Sequence, residues 1–255
     1  EKVTKKTKVI MPVHYASSSK GMDKVYELAQ NFGLRVIEDA AQAFGSKRNN
    51  KIVGVEGDII CFSFDGIKNI TSGEGGAIVS SDKLFIQKVQ DGRLLGVIKD
   101  TDKRYAGGRS WEFDVTEQGF RYHMSNIMAV IGIAQLSRLE EFKVKRQKIA
   151  KNYIKELNAI EEVQLLNFNF NEVLPHIFVM KAQKRDELRA YLILNNIECG
   201  IHYKPNHMLS KYNSEYSLPI TEKIYKEIIT LPCHSDLTSN EQKHIITIIK
   251  AFYRK

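Results

Sequence analysis

A glycine-rich loop between two strand-like runs limits what this chain can fold into. The first run is Asp58 to Phe64 and the second is Ala77 to Ser80. The loop between them contains one lysine, Lys68, and the turn Gly73-Glu74-Gly75-Gly76. Glycines let the backbone approach a bound group, and a lysine fixed at a strand end can act as an amine nucleophile. The pattern predicts a lysine-bearing ligand loop at a sheet edge, with an ordinary loop lysine as the alternative.

A second strand-like run, Arg35 to Glu38, ends at Asp39 and is followed by two alanines. Open α/β sheets bind ligands at the carboxyl ends of their strands. The spacing to Lys68 leaves room for one crossover and one further strand, so carboxylate and amine fall on the same edge. Pyridoxal phosphate (PLP) requires this pair, a lysine for the Schiff base and an acid against the pyridinium nitrogen. The alternative is that Asp39 caps a turn.

Three motifs in this order and spacing resemble one protein family. They are Glu38-Asp39-Ala40-Ala41-Gln42-Ala43, then Phe62-Ser63-Phe64 with Lys68 five residues after the serine, then Gly73-Glu74-Gly75-Gly76. Together they are similar to the DegT/DnrJ/EryC1/StrS family of PLP-dependent nucleotide-sugar aminotransferases. The resemblance implies an α/β, aspartate-aminotransferase-like fold (fold type I), with a mainly parallel sheet and a smaller C-terminal α+β domain. We expect residues 1–140 to be the C-terminal part of the large PLP-binding domain and residues 141–255 to be the small domain.

The resemblance also implies roles for four residues. Lys68 would bind the cofactor as an aldimine and then carry the proton between the two carbons of the transamination. Asp39 would pair with the protonated pyridine nitrogen, and Gln42 would hydrogen-bond the ring hydroxyl. Ser63 would hold the cofactor phosphate. The alternative for Gln42 is a side chain that faces solvent. The alternative for Ser63 is a buried hydroxyl that is hydrogen-bonded to the backbone.

Two later segments carry further family-like residues. The run Gly119 to Asn126 contains Arg121, at a position that in relatives reaches the cofactor phosphate of the partner subunit. This implies a homodimer with shared active sites, or else a simple surface arginine. His202 and Tyr203 resemble a run near the substrate entrance, and we assign them to substrate binding. With His207 they lack a third metal ligand nearby in sequence, so no metal site is expected.

The bulk composition excludes several classes of protein. The 255 residues are 43% hydrophobic and 27% charged, as in ordinary soluble globular proteins. No apolar run approaches the roughly 18 residues of a membrane span, and three cysteines without metal-ligand spacing fit a reduced, cytoplasmic protein. The net charge of +8 is spread along helical stretches. It therefore predicts an anionic small ligand, such as a nucleotide diphosphate, rather than nucleic acid.

The secondary-structure pattern begins with strand, helix, strand over Val9–His14, Gly21–Phe32 and Arg35–Glu38, which predicts a parallel right-handed βαβ unit. Gly96 to Thr116, with Gly107-Gly108 and the single Trp111, is predicted to be irregular. Ser125 is predicted to open one long helical stretch to about Asn158, with apolar residues such as Ile127 and Val130 facing the core. Asp82 is predicted to cap a helix to about Leu94. The remainder alternates strand and helix, with a strand from Ile197 to Tyr203 and a closing helix from Ser239 to Arg254 that Ser239 caps.

The resemblance predicts an enzyme that moves an amino group from glutamate to a keto nucleotide sugar, at carbon 4, in surface-polysaccharide or deoxyaminosugar biosynthesis. The rival is a non-catalytic remnant that binds a ligand or dimerises. In the family a phosphate-binding helix start and a ring-stacking aromatic precede the strand that here ends at His14. We therefore expect the N-terminal part of the fold to be absent, because the sequence begins mid-protein or is a fragment. The particular sugar cannot be read from the sequence.

Overall fold

The computed structural model describes residues 2–98, 113–213 and 216–254. Its helices are α1 (Met22–Phe32), α2 (Lys83–Gly92), α3 (Asn126–Leu136), α4 (Leu139–Leu157), α5 (Arg185–Leu194), α6 (Pro219–Glu227) and α7 (Ser239–Tyr253). Its strands are β1 (Val9–Ile10), β2 (Arg35–Asp39), β3 (Lys47–Arg48), β4 (Lys51–Ile52), β5 (Ile59–Ser63), β6 (Gly76–Val79), β7 (Val97–Ile98), β8 (Asp114–Val115), β9 (Val163–Leu165), β10 (Phe178–Ala182) and β11 (Ile228–Leu231). Short 3-10 turns cover Tyr15–Ser17, Asn206–Met208 and Ser210–Tyr212.

A four-stranded sheet in the order β1-β2-β5-β6 forms the N-terminal region. The first three strands are parallel and β6 is antiparallel to β5. The predicted parallel βαβ unit is therefore confirmed, with α1 as its crossover. Helix α1 ends where Gly33 adopts the left-handed conformation, with φ of 62°, as expected of a glycine C-cap.

The carboxyl ends of the three parallel strands meet at one edge of this sheet. Asp39 pairs with Cys61 of β5 on one side and forms an isolated bridge with Val13 on the other. The His14 N–H donates to the Asp39 carbonyl at 2.9 Å, and the Ala40 N–H donates to the Cys61 carbonyl at 2.9 Å. The segments that follow β1, β2 and β5 are thereby fixed side by side.

The C-terminal region is built on a three-stranded antiparallel sheet in the order β11-β10-β9. Its core comes from both sheet and helices, including Tyr153 of α4, Leu188 of α5, Met180 of β10 and Ile249 of α7, each fully buried. This core is separate from the two smaller clusters of the N-terminal sheet. A domain boundary near residue 140 remains a prediction.

The long helix predicted from Ser125 is in fact two helices. Ser125 caps α3 as predicted, accepting from the Met128 N–H at 3.3 Å. The chain then leaves the helix at Ser137, whose Oγ donates to the Ala134 carbonyl at 2.8 Å, and α4 begins at Leu139. The predicted core-facing role of α3 is wrong within the described chain, because Ile127 is 77% exposed and no residue of α3 is buried.

Three further expectations need correction. Residues predicted to be irregular after Gly96 include a short antiparallel pair, β7 with β8, whereas Gly107-Gly108 and Trp111 lie outside the described residues. The strand expected from Ile197 to Tyr203 is reduced to one bridge between Gly200 and Thr230. Helix α7 is capped by Thr238 rather than Ser239, because Thr238 and Glu241 form a reciprocal capping box.

Over the described ranges, none of the helices combines the length and the apolar composition that crossing a bilayer requires.

Candidate active site

The lysine loop is a closed turn tied to the end of β5. The Phe64 N–H donates to the Gly75 carbonyl at 2.8 Å, and the Ser72 N–H donates to the Phe64 carbonyl at 2.9 Å. A Cβ at Gly76 would lie 2.4 Å from the Phe62 carbonyl oxygen, so only glycine allows β6 to leave the loop this close to β5. The loop therefore presents Lys68 from a fixed base.

The charge of Lys68 influences two histidines, His176 and His202. The Lys68 side chain is half-buried, and none of the hydrogen bonds or ion pairs between described residues involves its ammonium group. Burial, together with the charges of Lys68 and Arg146, lowers the pKa of His176 to about 4. Burial and the Lys68 charge also lower the pKa of His202. The Lys68 charge thus acts on two imidazoles that favour the neutral form.

Asp39 stands at the end of β2 as a half-buried carboxylate. Its Oδ1 accepts from the Ala41 N–H at 3.1 Å, and no basic side chain of the described chain forms an ion pair with it. Burial raises the pKa of Cys61 and the Asp39 charge raises it further. The pKa of Tyr203 is raised by burial and by the same charge, against a hydrogen bond from Gln42. Asp39 therefore presents a negative charge toward the phenol of Tyr203.

Gln42 joins the two regions of the chain. Its Oε1 accepts from the Ala16 N–H at 2.8 Å and its Nε2 donates to the Tyr203 hydroxyl at 3.1 Å. Tyr15 adds a parallel link, because its hydroxyl donates to the His202 carbonyl at 2.6 Å. The His202 Nδ1 lies 2.9 Å from Thr230 Oγ1 of β11. His202 and Tyr203 are thereby held over the sheet edge that ends at Asp39.

The structure brings five of the predicted site residues together: Lys68, Asp39, Gln42, His202 and Tyr203. Ser63 is the last residue of β5, and its Oγ accepts from the Asp65 N–H at 3.3 Å, at the entry to the lysine loop. The five carry an amine, a carboxylate, an amide, an imidazole and a phenol. Their positions follow from the fold, whereas their roles remain predictions.

Arg121 lies apart from this group. It is exposed, and it forms an isolated bridge with Leu94 near the end of α2. Within the described ranges, its side chain makes no hydrogen bond or ion pair with Lys68 or Asp39. Its neighbours Tyr122 and His123 line a cavity of about 970 Å³ that also borders the end of the lysine loop at Glu74. Within one chain, Arg121 does not reach the other predicted site residues.

Sequence reasoning missed three residues of this site. Tyr15 follows β1 at the same sheet edge, so the rule for strand ends could have found it. His176 precedes β10 and is 7% exposed, and nothing in its sequence context marks it. Asn69 is 4% exposed and is the residue after Lys68, where a buried amide in a polar loop gives only a weak signal.

The donor set fits PLP better than a metal. A half-buried carboxylate with no cationic partner among the described residues, next to the small, half-buried Ala41, suits a positively charged, flat ring. Among the described residues, the Lys68 amine has no hydrogen-bond or ion-pair partner that the cofactor would have to displace. In the part of the chain that the structure describes, no cluster of three or more histidine, cysteine or carboxylate side chains could hold a metal ion.

Comparison with known proteins decides the family. The model of the DegT/DnrJ/EryC1/StrS aminotransferase family matches residues 1–250. The chain belongs to this aminotransferase family. The resemblance drawn from the three sequence motifs is thereby confirmed, and so is its assignment as an aminotransferase.

Relatives of this family match over nearly the whole chain. An uncharacterized protein of Methanocaldococcus jannaschii, MJ1066, is 32% identical over 97% of this chain and 67% of its own length. Helicobacter pylori PseC, an aminotransferase involved in the biosynthesis of pseudoaminic acid, superposes with a TM-score of 0.90 at 25% identity, covering 99% of this chain and 68% of PseC. A putative sugar aminotransferase from Streptococcus pneumoniae in its PLP form gives 0.87 at 25% identity, covering 99% and 70%. The fold type I assignment is confirmed, and the chain spans about two thirds of these relatives.

The neutral state of His176 predicts how stability depends on pH. The folded protein binds a proton at His176 only near pH 4, whereas the unfolded chain does so near 6.5. Stability is therefore complete above pH 6.5 and falls as the pH drops toward 4, by about 2 kcal/mol at pH 5. His176→Asn should remove this part of the loss in denaturant melts at pH 7 and pH 5. The exposed His234→Asn is the control, and an equal loss in His176→Asn and the wild type would contradict the assignment.

Proposed function

We propose that the protein is a PLP-dependent aminotransferase that moves an amino group from glutamate to carbon 4 of a keto nucleotide sugar. The reaction would serve surface-polysaccharide or deoxyaminosugar biosynthesis in the cytoplasm. The observation that carries the proposal is the meeting of Lys68 and Asp39 at one sheet edge, with neither side chain engaged by an ion pair among the described residues. Family membership and sugar aminotransferases among the solved relatives support the same class of reaction.

Asp39 would supply the electrostatic part of catalysis. Bound PLP provides an electron sink that stabilises negative charge on the substrate carbon next to the amino nitrogen. A carboxylate against the pyridine nitrogen keeps that nitrogen protonated, which strengthens the sink. The Ala41 N–H donates to Asp39 Oδ1 and holds the carboxylate in place. Ala41, which is half-buried next to Asp39, is small enough to pack against a flat ring, whereas Ala40 is buried in the core.

Lys68 would bind the cofactor through Nζ and then carry a proton at the same atom. A proton carrier has to be free to move between two positions, and the described chain binds the amine through no ion pair. Burial and the Lys68 charge lower the pKa values of His176 and His202, so both imidazoles favour the neutral form. They therefore add no positive charge that would oppose a proton on the amine.

Gln42 and Tyr203 would define the side from which substrate approaches. Gln42 would bind the ring hydroxyl through its side-chain amide. Its Nε2 also donates a hydrogen bond to the Tyr203 hydroxyl at 3.1 Å. Ser63 would bind phosphate from the end of β5. The net charge of +8 suits a nucleotide diphosphate. Glutamate as donor and carbon 4 as the acceptor position rest on the family resemblance of the lysine loop.

The first test locates the covalent bond. After PLP is added and reduced with borohydride, peptide mapping should find the adduct on Lys68, and Lys68→Ala should not form it. Amino transfer from glutamate to a 4-keto nucleotide sugar should fall by at least about 100-fold, because proton transfer is lost. Lys47→Ala, another half-buried lysine, is the control.

Full activity of Lys68→Ala, or an adduct confined to other lysines, would contradict the proposal. Nucleotide binding without any adduct in the wild type would favour a non-catalytic ligand-binding remnant.

We further propose that two copies share their sites through Arg121. Arg121 is exposed and makes no hydrogen bond or ion pair with Lys68 among the described residues of its own chain, and arginine suits a phosphate through paired charged hydrogen bonds. The apolar residues of α3, which begins a few residues later, are exposed and could be covered by a second copy. A homodimer in which Arg121 binds the partner's cofactor phosphate accounts for both features.

Mixed dimers test this sharing. Lys68→Ala and Arg121→Ala chains should each be inactive alone and should regain activity when combined, because one of the two shared sites then has both groups. Recovery well above the rates of both single variants supports sharing. No recovery in verified mixed dimers would remove the cross-subunit role of Arg121.

A further inference from the structure

We propose that Asn69 is a positioning residue that fixes Lys68 relative to the Asp39–Gln42 segment and to the segment that precedes β10. The inference deepens the proposed function and rests on it for the chemistry of Lys68. The arrangement itself is a property of the folded chain.

The Asn69 side chain sits at the meeting point of three segments. Its Nδ2 lies 3.0 Å from the carbonyl oxygen of Phe44 and 3.3 Å from the carbonyls of Gln42 and Leu174. The residue is 4% exposed, so these hydrogen bonds are shielded from water. One amide group therefore joins the lysine loop, the turn after β2 and the chain entering β10.

The orientation of this amide is set by its neighbours. Three carbonyl oxygens surround one end of the group, and a carbonyl accepts but never donates a hydrogen bond. With Oδ1 turned toward them, four oxygens would face one another in a buried place, so Nδ2 must occupy this position. An amide side chain is thus required here, because a hydroxyl or carboxylate cannot supply the same donors.

Asn69 also provides the side-chain hydrogen bonds that tie the lysine loop to other segments. The other described side-chain hydrogen bonds of residues 65–75 stay within the loop or reach Ser63 and Phe64 at its entry, as with Thr71 Oγ1 to the Phe64 carbonyl. Only Asn69 bonds to segments elsewhere in the chain, among the residues that the structure describes. Without it, the loop would lose its registration against Gln42 and Asp39, and its internal turn would open more often.

The same bonds fix the backbone of His176, whose pKa is lowered by burial and by the charge of Lys68. Leu174, whose carbonyl accepts from Asn69, is two residues before His176. The His176 N–H donates to Ser17 Oγ at 2.9 Å, and Ser17 Oγ in turn donates to the Gln42 carbonyl. Lys68 and His176 are therefore both positioned relative to one shared point, the Gln42 carbonyl.

The test compares Asn69→Ala with Ser46→Ala. Ser46 is fully buried and its Oγ accepts from the Leu174 N–H at 3.0 Å, so its loss also frees Leu174 but does not touch the lysine loop. Backbone hydrogen exchange of the protein without cofactor reports the loop directly, through the Lys68 and Ser72 amides. In Asn69→Ala these amides should exchange at least about 10-fold faster, whereas β10 amides keep their protection.

Ser46→Ala should leave the loop amides within about twofold of the wild type. Unchanged loop exchange in Asn69→Ala, or equal acceleration in both variants, would overturn the proposal. In the same proteins we also measure the rate at which borohydride traps PLP on Lys68. This rate should fall about 10-fold in Asn69→Ala alone, because a misplaced Lys68 amine attacks the cofactor less efficiently. If the wild type forms no Lys68 adduct but the exchange result holds, the proposed function fails while the positioning role stands.

Discussion

The parallel register of β1, β2 and β5 is the constraint on which the site depends. It places Asp39 between Val13 and Cys61, so that the segments following all three strands start from one edge. A carboxylate from one segment and an amine from another can then face a single ligand. A shift of one residue in β2 would turn Asp39 toward the opposite face of the sheet. The relative position of the proposed catalytic pair, Lys68 and Asp39, is therefore set first by the pairing of the strands and only then by the two loops.

The residue before Asp39 in β2, Glu38, has a buried carboxylate that anchors the same strand. Glu38 is fully buried, and its carboxylate lies 2.7 Å from His14 Nε2, 2.6 Å from the Tyr26 hydroxyl and 2.9 Å from Arg48. Burial alone would raise the pKa of Glu38, but the bonds from His14 and Tyr26 and the Arg48 charge lower it. Neighbouring strand residues point to opposite faces. One face of β2 is thus held by ionic contacts while the other is left for Asp39.

Local signals predicted the parts of this site that depend on nearby sequence. The strand end at Asp39, the helix cap at Asp82 and the loop around Lys68 follow from residue types at short spacing. The links from Gln42 to Tyr203 and from Asn69 to Leu174 could not be predicted, because they join residues more than 100 positions apart. The exposure of α3 was also missed. The spacing of apolar residues predicts which face of a helix is apolar, but it does not tell which other segment covers that face.

A crystal structure of the protein with PLP tests the pairing of Lys68 and Asp39 around one cofactor. We predict continuous density between Lys68 Nζ and the cofactor. We also predict the Asp39 carboxylate within about 3.2 Å of the pyridine nitrogen, with the Gln42 amide at the ring hydroxyl. A cofactor joined to another lysine, or a pyridine nitrogen directed away from Asp39, would contradict this pairing.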